Sequence, residues 1–122
     1  MSRWGSIVNL SRSGEHILKA RWCQSFLCKL RGLTFRRRLA EGEGLLLVEQ
    51  SESRTNTSIH MLMVFFPITV VWLNKDLWVV DIKLAKPWGV YFPEAPAQYV
   101  LEGSIKLMEQ ISIGDQLEWV DA

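Results

Sequence analysis

The stretch "SIHMLMVFFPITVVWLNKDLWVVDI", residues 58–82, is the most apolar part of the chain and decides how the rest is interpreted. A membrane-spanning helix needs about 20 nearly uninterrupted apolar residues. Here the apolar run from Met61 to Leu73 is shorter, contains Pro67, and stops at the polar residues 74–76. The sequence therefore predicts a core element and no membrane span.

The residues after Pro67 predict a β-hairpin. Side chains with high β-propensity lie on both sides of Asn74-Lys75-Asp76, whose composition is typical of a turn. Both faces of such a hairpin are mostly apolar, which indicates a strand pair between two covering layers or in a barrel wall. With a three-residue loop, the expected cross-strand pairs are Trp72 with Trp78, Val70 with Val80, Ile68 with Ile82, Leu73 with Leu77, Val71 with Val79, and Thr69 with Asp81.

Length and composition are those of one domain, residues 1–122. The apolar share of 48% and the charged share of 22% are ordinary for a soluble globular protein. No apolar segment of the kind found in signal peptides follows the first basic residues. Cys23 and Cys28 have neither a second cysteine pair nor a histidine pair nearby. We therefore expect a cytoplasmic protein with free thiols and with no metal site or cofactor.

The net charge of +1 is unevenly distributed. Residues 1–38 carry nine basic residues and one acid, whereas residues 39–122 carry five basic residues and twelve acids. One interpretation is a basic patch, centred on Arg36-Arg37-Arg38, for nucleic acid or an anionic surface. The favoured alternative is that the two parts lie side by side in the fold and neutralise each other, which makes a nucleic-acid partner the weaker hypothesis.

The remaining pattern predicts a mainly β fold. A polar surface loop is expected over residues 49–57, and two short helices over residues 24–33 and 105–110, the second with Ser104 as its N-cap. The predicted fold is a compact antiparallel barrel or jelly-roll-like sandwich of about eight short strands with two short helices. Besides the hairpin, strands are expected over residues 6–10, 16–22, 45–48, 59–63, 98–101 and 116–120.

Several short motifs, taken in order, resemble a widespread prokaryotic family of small proteins, domain-of-unknown-function family 192. They are "RGL" (31–33), "EGEGLLL" (41–47), "IHM" (59–61), "PI" (67–68), "VVWL" (70–73), Pro87, "YVLEG" (99–103) and "IGDQL" (113–117). The resemblance covers about residues 6–120. It implies a compact, mostly antiparallel β fold, barrel-like or jelly-roll-like, and it carries no agreed activity, substrate or cofactor.

The chain departs from this family at two places. Members usually have Asp two residues after the proline, where this chain has Thr69, and Asp81 is expected directly across the hairpin as a partial substitute. Members also often have a basic residue or Asn just before the proline, where this chain has the apolar residues 64–66. Both differences weaken the expectation of family chemistry in this protein.

One polar rim is the first candidate site. His60 lies between apolar neighbours, and Glu102 ends a strand that follows an aromatic loop. In a compact barrel these two side chains could meet Arg31 at one rim, with Glu102 held ionised by the arginine and His60 biased toward its charged form. The alternative is structural, with His60 a hydrogen-bonded core residue and Glu102 in a salt bridge that holds the first helix to the sheet.

The aromatic loop, residues 86–96, is the second candidate. Prolines stiffen it, and Trp88 and Tyr91 could form the lip of a ligand cleft or a contact for a protein partner. The favoured alternative is that the rings fold over an open barrel end as a plug.

No catalytic motif is present in the sequence. We therefore favour a non-enzymatic small binding or accessory domain, which would use the aromatic loop and the rim around His60. A nucleic-acid or anionic-surface binder that uses the basic part comes second. A small hydrolase or isomerase with His60 as general base comes third.

Overall fold

In a computed structural model, the chain forms one mixed β-sheet with a small second sheet beside it. The structure describes residues 3–25, 42–61 and 64–121, apart from the side chain of His60. Within these ranges the nine strands are β1 (Arg3–Asn9), β2 (Glu15–Cys23), β3 (Glu43–Ser53), β4 (Ile59–His60), β5 (Ile68–Leu73), β6 (Val79–Ala85), β7 (Val90–Tyr91), β8 (Ala97–Gly103) and β9 (Leu117–Asp121).

Seven of these strands form the main sheet in the order β6-β5-β8-β3-β2-β1-β9, and β4 pairs with β7 in the second sheet. The mainly β prediction is confirmed, and most strand pairs are antiparallel. The sheet is nevertheless mixed, and not antiparallel throughout, because β2 and β3 are parallel. Parallel neighbours require a long connection between them. Residues 24–42 provide that length. The connections from β1 to β2 and from β5 to β6 are short and join antiparallel neighbours.

The main sheet is open, so the predicted closed barrel is not confirmed. Its two edges nevertheless approach each other at one corner. Trp78 forms an isolated bridge with Gln116, the amide of Leu117 donates to the carbonyl of Leu77 at 2.9 Å, and the amide of Val79 donates to the carbonyl of Asp115 at 2.8 Å. These bonds curve the sheet strongly and give it one concave face.

Each face of the sheet carries an apolar cluster. The first cluster draws residues from all seven strands and fills the concave face, and the second lies on the opposite face beneath β4 and β7. Val71 and Trp72, adjacent on β5, point into the first and the second cluster respectively, and both are fully buried. The predicted two-sided burial is therefore confirmed for β5, and it explains the apolar character of residues 68–73. It is not confirmed for β6, which is an edge strand with Leu84 exposed.

The register predicted for this hairpin is wrong. Trp72 pairs with Asp81, and Leu73 pairs with Val79. The loop is longer than three residues, since the side chain of Asn74 accepts bonds from the amides of Asp76 and Trp78. A bulge beside Trp72 adds a further shift. The hairpin loop and this bulge together move β6 relative to β5.

The short elements also differ in detail from the prediction. No α-helix occurs in the described ranges, and the helical segments there are 3₁₀ helices at Leu10–Arg12 and Ile105–Glu109. Ser104 does precede the second, but its side chain makes no capping bond. The helix predicted over 24–33 lies mostly outside the described residues. The polar segment predicted as a loop over 49–57 is partly strand, because β3 continues to Ser53.

Cys23 is fully buried at the end of β2, and it is disulfide-bonded. The expectation of free thiols is therefore wrong for this residue. Cys23 is the last residue of β2, and the sequence offered no motif from which its disulfide could be predicted. Cys28 lies outside the described residues.

Candidate functional site

Glu102 is a buried acid on an otherwise apolar face. It lies near the end of β8, paired with Leu45 on β3 and with Val70 on β5. Directly paired residues point to the same side of a sheet, and both neighbours belong to the second cluster. The residue is 5% exposed. Among the described residues, no hydrogen bond or ion pair reaches its carboxyl group.

This isolation changes the protonation of Glu102. Burial raises the pKa of the Glu102 carboxyl from its ordinary value of 4.5 to about 7. The physical cause is loss of hydration, which penalises the charged form of an acid. Near neutral pH, Glu102 is therefore divided between the neutral acid and the carboxylate.

The structure describes the backbone of His60 but not the other predicted partner of Glu102, Arg31. His60 lies on β4 opposite Val90, but its side chain is outside the described part of the structure, as is Arg31. The convergence of His60, Glu102 and Arg31 at one rim therefore stays a prediction. Arg36-Arg37-Arg38 also lies outside the described residues.

Asp81 does not occupy the position that the sequence suggested. It pairs with Trp72, whereas Thr69 pairs with Leu84, so Asp81 cannot stand in for a carboxylate at position 69. Its own carboxylate accepts bonds from the amides of Ile82 at 2.9 Å and Glu94 at 3.0 Å. These bonds attach the segment around Glu94 to the edge strand β6. Asp81 is consequently a residue of the fold, and its oxygens are already in use.

Thr69 itself is buried on β5, between the edge strand β6 and β8. Its Oγ1 atom has no hydrogen-bond partner among the described residues. The buried hydroxyl of Thr57, in contrast, donates to the carbonyl of Ser53 at 2.5 Å.

We expect Thr69→Val to stabilise the protein by about 1 kcal/mol, because it removes an unsatisfied polar atom at nearly constant shape. Thr57→Val should destabilise it by a similar amount, because it deletes a formed hydrogen bond. Urea unfolding of the two variants measures both effects. A loss of stability in Thr69→Val would mean that its hydroxyl has a partner outside the described residues.

Trp88 is exposed, which contradicts the plug favoured from the sequence. Its exposed fraction is 54%, and Phe92 is also exposed. Trp88 adopts a φ of 69°, which is rare for a bulky residue. The backbone holds it there, since the Trp88 amide donates to the carbonyl of Met61 at 2.8 Å and the Met61 amide donates to the carbonyl of Gly89.

Tyr91 points the other way. It is partly buried and packs against the second cluster, and its hydroxyl accepts a bond from the amide of Lys86 at 2.8 Å. Its ring lies against Gly89, where an added Cβ would come within 2.8 Å of a ring carbon. Tyr91 therefore fixes the loop from beneath, while Trp88 lies on its outer side.

Two other exposed apolar side chains, Phe65 and Val90, were not predicted from the sequence as part of this surface. Phe65 meets the Trp88 ring edge-on at 6.0 Å, and Val90 is 61% exposed. The alternation of apolar residues 88, 90 and 92 could have predicted that these side chains lie on one side, because alternate residues of a strand share one side.

The basic first part of the chain is partly neutralised. Arg3 lies 3.0 Å from Asp121 and Arg12 lies 3.7 Å from Asp115. Both acids come from the acidic part, so the neutralisation alternative holds for these two of the described basic residues. The nucleic-acid hypothesis for the remainder of this region stays a prediction.

A cavity of about 310 Å³ lies elsewhere, between β2, the start of β3 and the second 3₁₀ helix. The predicted site residues that the structure describes do not line it. Within the described ranges, no cluster of three or more potential ligands is suited to a metal ion, and no helix there has the length and apolar character needed to cross a membrane.

These features define a small, mainly β domain built on one open mixed sheet, with a buried acid on its convex face. The sequence profile of domain-of-unknown-function family 192, described as "Uncharacterized ACR", matches residues 8–119. The chain belongs to this family, as its motifs had suggested.

Named relatives agree with this assignment. A UPF0127 protein of Pyrococcus furiosus is 35% identical over 115 residues, which is 93% of this chain and 97% of that protein. A UPF0127 protein of Pyrococcus horikoshii is 37% identical over 113 residues, 91% of this chain and 92% of the relative. The family is uncharacterised and its function is unknown.

Solved structures share the fold. A Sinorhizobium meliloti protein, provisionally described as a transcription regulator, superposes with a TM-score of 0.82 at 21% identity and covers 98% of this chain and 94% of its own. A Novosphingobium aromaticivorans protein of unknown function gives 0.78 at 22% identity, over 93% of this chain and 84% of its own. These similarities establish the architecture alone.

Proposed function

We propose that this protein is a non-enzymatic binding or accessory domain whose ligand is held by the carboxyl group of Glu102. The observation that carries the proposal is the isolation of this group. It is 5% exposed on an apolar face, with no hydrogen bond or ion pair from the described residues. An acid that is nearly excluded from water among apolar side chains is costly, so such a residue is a candidate for a functional role.

The energetics support the same conclusion. An ionised carboxyl without a partner is costly to bury, and the pKa of about 7 reflects that cost. Strongly shifted acids occur preferentially at functional sites. A ligand that supplies the missing partner would remove the penalty, which makes its binding favourable.

The chemistry of the acid defines the class of ligand. The carboxylate form would accept hydrogen bonds from an amine, amidine or amide N–H, and the neutral form could also donate one to a carbonyl. We infer a small ligand, or a partner side chain, that carries an N–H donor beside an apolar body. The apolar body would match the second cluster, where Leu45 and Val70 flank Glu102.

The aromatic loop would complete this site. Tyr91 belongs to the second cluster together with the neighbours of Glu102, and Trp88 is exposed on the same loop. A loop held by backbone hydrogen bonds loses little conformational freedom on binding. His60 and Arg31 remain candidates for further contacts to the ligand, as the sequence motifs suggest.

One specific observation favours a second function. A carboxyl with a pKa near 7 is suited to proton transfer at neutral pH. Glu102 could therefore serve as general acid or base in a small hydrolase or isomerase, in place of the His60 base suggested by the sequence. Turnover of a bound compound, lost in Glu102→Gln, would favour this alternative.

Glu102→Gln tests the binding proposal. A library of amines, amides and short peptides is screened by thermal shift against the wild-type protein, the variant, and the control Glu118→Gln, which changes an exposed acid. We expect at least one amine or amide to raise the melting temperature of the wild type and the control but not of Glu102→Gln. At 100 times the Kd, a single-site ligand contributes about 2.7 kcal/mol.

Two results would count against the proposal. One is a screen in which no compound stabilises the wild type. The other is a stabilising ligand that acts equally on Glu102→Gln, which would place binding elsewhere on the molecule. Folding of the variant is checked first by its cooperative thermal transition.

A further inference from the structure

Arg3 lies over two of three adjoining aromatic rings at one end of the concave face. The guanidinium carbon of Arg3 lies 4.4 Å from the centre of the Trp22 ring and 5.7 Å from that of Trp119. The two indole rings meet edge to face at 5.1 Å, and Tyr99 meets Trp22 at 6.4 Å. We call Trp22, Tyr99 and Trp119 the aromatic cage.

The sheet register creates this cage. Arg3 on β1 pairs with Trp22 on β2, and β9 lies on the other side of β1. Gly5 leaves the space that the third ring needs, since an added Cβ would lie 2.4 Å from two carbon atoms of Trp119. The Trp119 position therefore depends on a glycine two residues from the arginine.

An acid completes the surroundings of the arginine. Asp121 accepts hydrogen bonds from Arg3 Nε at 3.0 Å and from Trp119 Nε1 at 2.8 Å. The bond from the indole, followed by that from the arginine, lowers the pKa of Asp121. Its charge therefore persists well below neutral pH beside the open side of the rings.

We propose that the aromatic cage is a binding site for organic cations with delocalised or shielded charge, a guanidinium or a methylated ammonium, and that Arg3 occupies it as an internal competitor. Aromatic faces attract such cations, and aromatic cages are a recurring solution for recognising quaternary ammonium groups. A guanidinium is weakly hydrated, which favours its stacking on indole rings. The site uses no residue of the proposed Glu102 site.

The exposure of Arg3 makes it replaceable. Its side chain is 51% exposed, and that of Asp121 is 65% exposed. Exposed ion pairs and exposed cation–π contacts are individually weak. An external cation at sufficient concentration can therefore take the position of the arginine, and removing the arginine side chain frees the cage.

Arg3→Ala tests the proposal with tetramethylammonium chloride as the probe and potassium chloride as the control for ionic strength. The indole N–H signals of Trp22 and Trp119, assigned by Trp-to-Phe variants, are followed by ¹H–¹⁵N NMR. We expect saturable shifts of both signals in Arg3→Ala, with an apparent affinity at least tenfold higher than in the wild type. Arg12→Ala should behave as the wild type.

A second variant keeps the test decisive. Gly5→Ala in the Arg3→Ala background places a methyl group against Trp119 and the carbonyl oxygen of Val120 without altering any ring, and it should abolish the saturable shifts. If folded Arg3→Ala shows no saturable shift, or the shift survives in the double variant, the cage does not bind cations. Folding of each variant is verified from the dispersion of its amide signals.

Discussion

Val71→Asp should yield no folded protein. Val71 is fully buried in the first cluster, and it lies on β5 between Ile82 of β6 and Leu101 of β8. An aspartate there would be an uncompensated charge in the interior, which costs several kcal/mol in addition to the lost apolar burial. That sum is comparable with the whole stability of a typical domain, about 5 to 15 kcal/mol.

The measurement is the soluble fraction after expression, followed by circular dichroism and thermal melting of whatever protein is recovered. Val120→Asp is the matched control, because Val120 lies on the edge strand β9 and is 44% exposed. It should fold and melt close to the wild type. A soluble Val71→Asp protein with a cooperative transition would show that the centre of the sheet tolerates charge and that β5 is not buried on both sides.

Glu102→Met should remove an electrostatic penalty of about 3 kcal/mol from the folded protein at pH 8. At pH 4, where Glu102 is neutral in both the folded and the unfolded protein, this penalty is absent, and the substitution should have no such effect. In the folded protein the pKa of Glu102 is raised to about 7, from an ordinary value of 4.5. The unfolded chain therefore loses this proton first as the pH rises. Folding stability decreases between pH 4.5 and about 7 and stays low above it. Methionine is similar in shape and has no charge to bury.

Urea unfolding of both proteins from pH 4 to pH 8.5 measures this effect. Other titrating groups are common to the two proteins and cancel in the difference, as does any constant packing change. The difference should increase with pH and level off above about pH 7. If the free energy of unfolding depends on pH in the same way in both proteins, the pKa of Glu102 is not raised in the folded protein. The energetic basis of the Glu102 site would then be wrong.

The sequence predicted the fold where the pattern was strong and local. The two-sided apolar character of residues 68–73 correctly indicated a central strand. The register failed at the next step, because it depends on a side chain of Asn74 that accepts two backbone bonds and on a bulge beside Trp72. Neither changes the apolar pattern, so periodicity could not reveal them.

For the candidate site, too, the local sequence pattern could predict less than the strand pairing determines. In "YVLEG", Glu102 is two residues beyond Val100, and β8 extends through both, so the two residues share one face of the sheet. The sequence pattern had instead suggested that the strand ends at residue 101 and that Glu102 lies at a polar rim. Its lack of a partner depends on which side chains lie opposite it on β3 and β5. The sequence pattern does not show which residues of these strands pair with Glu102. Trp22 and Trp119 are far apart in sequence, and only the pairing of β1 with both β2 and β9 brings them to Arg3.

The position of β8 has a consequence for the order in which the fold can form. β8 lies between β3 and β5, so it joins the sheet formed by β1 to β3 to the hairpin of β5 and β6. A ribosome-bound chain that ends before residue 97 contains two halves with no strand to connect them. Such non-local pairing slows folding. We expect these truncated chains to be protease-sensitive, with cooperative structure appearing only after β8 has emerged.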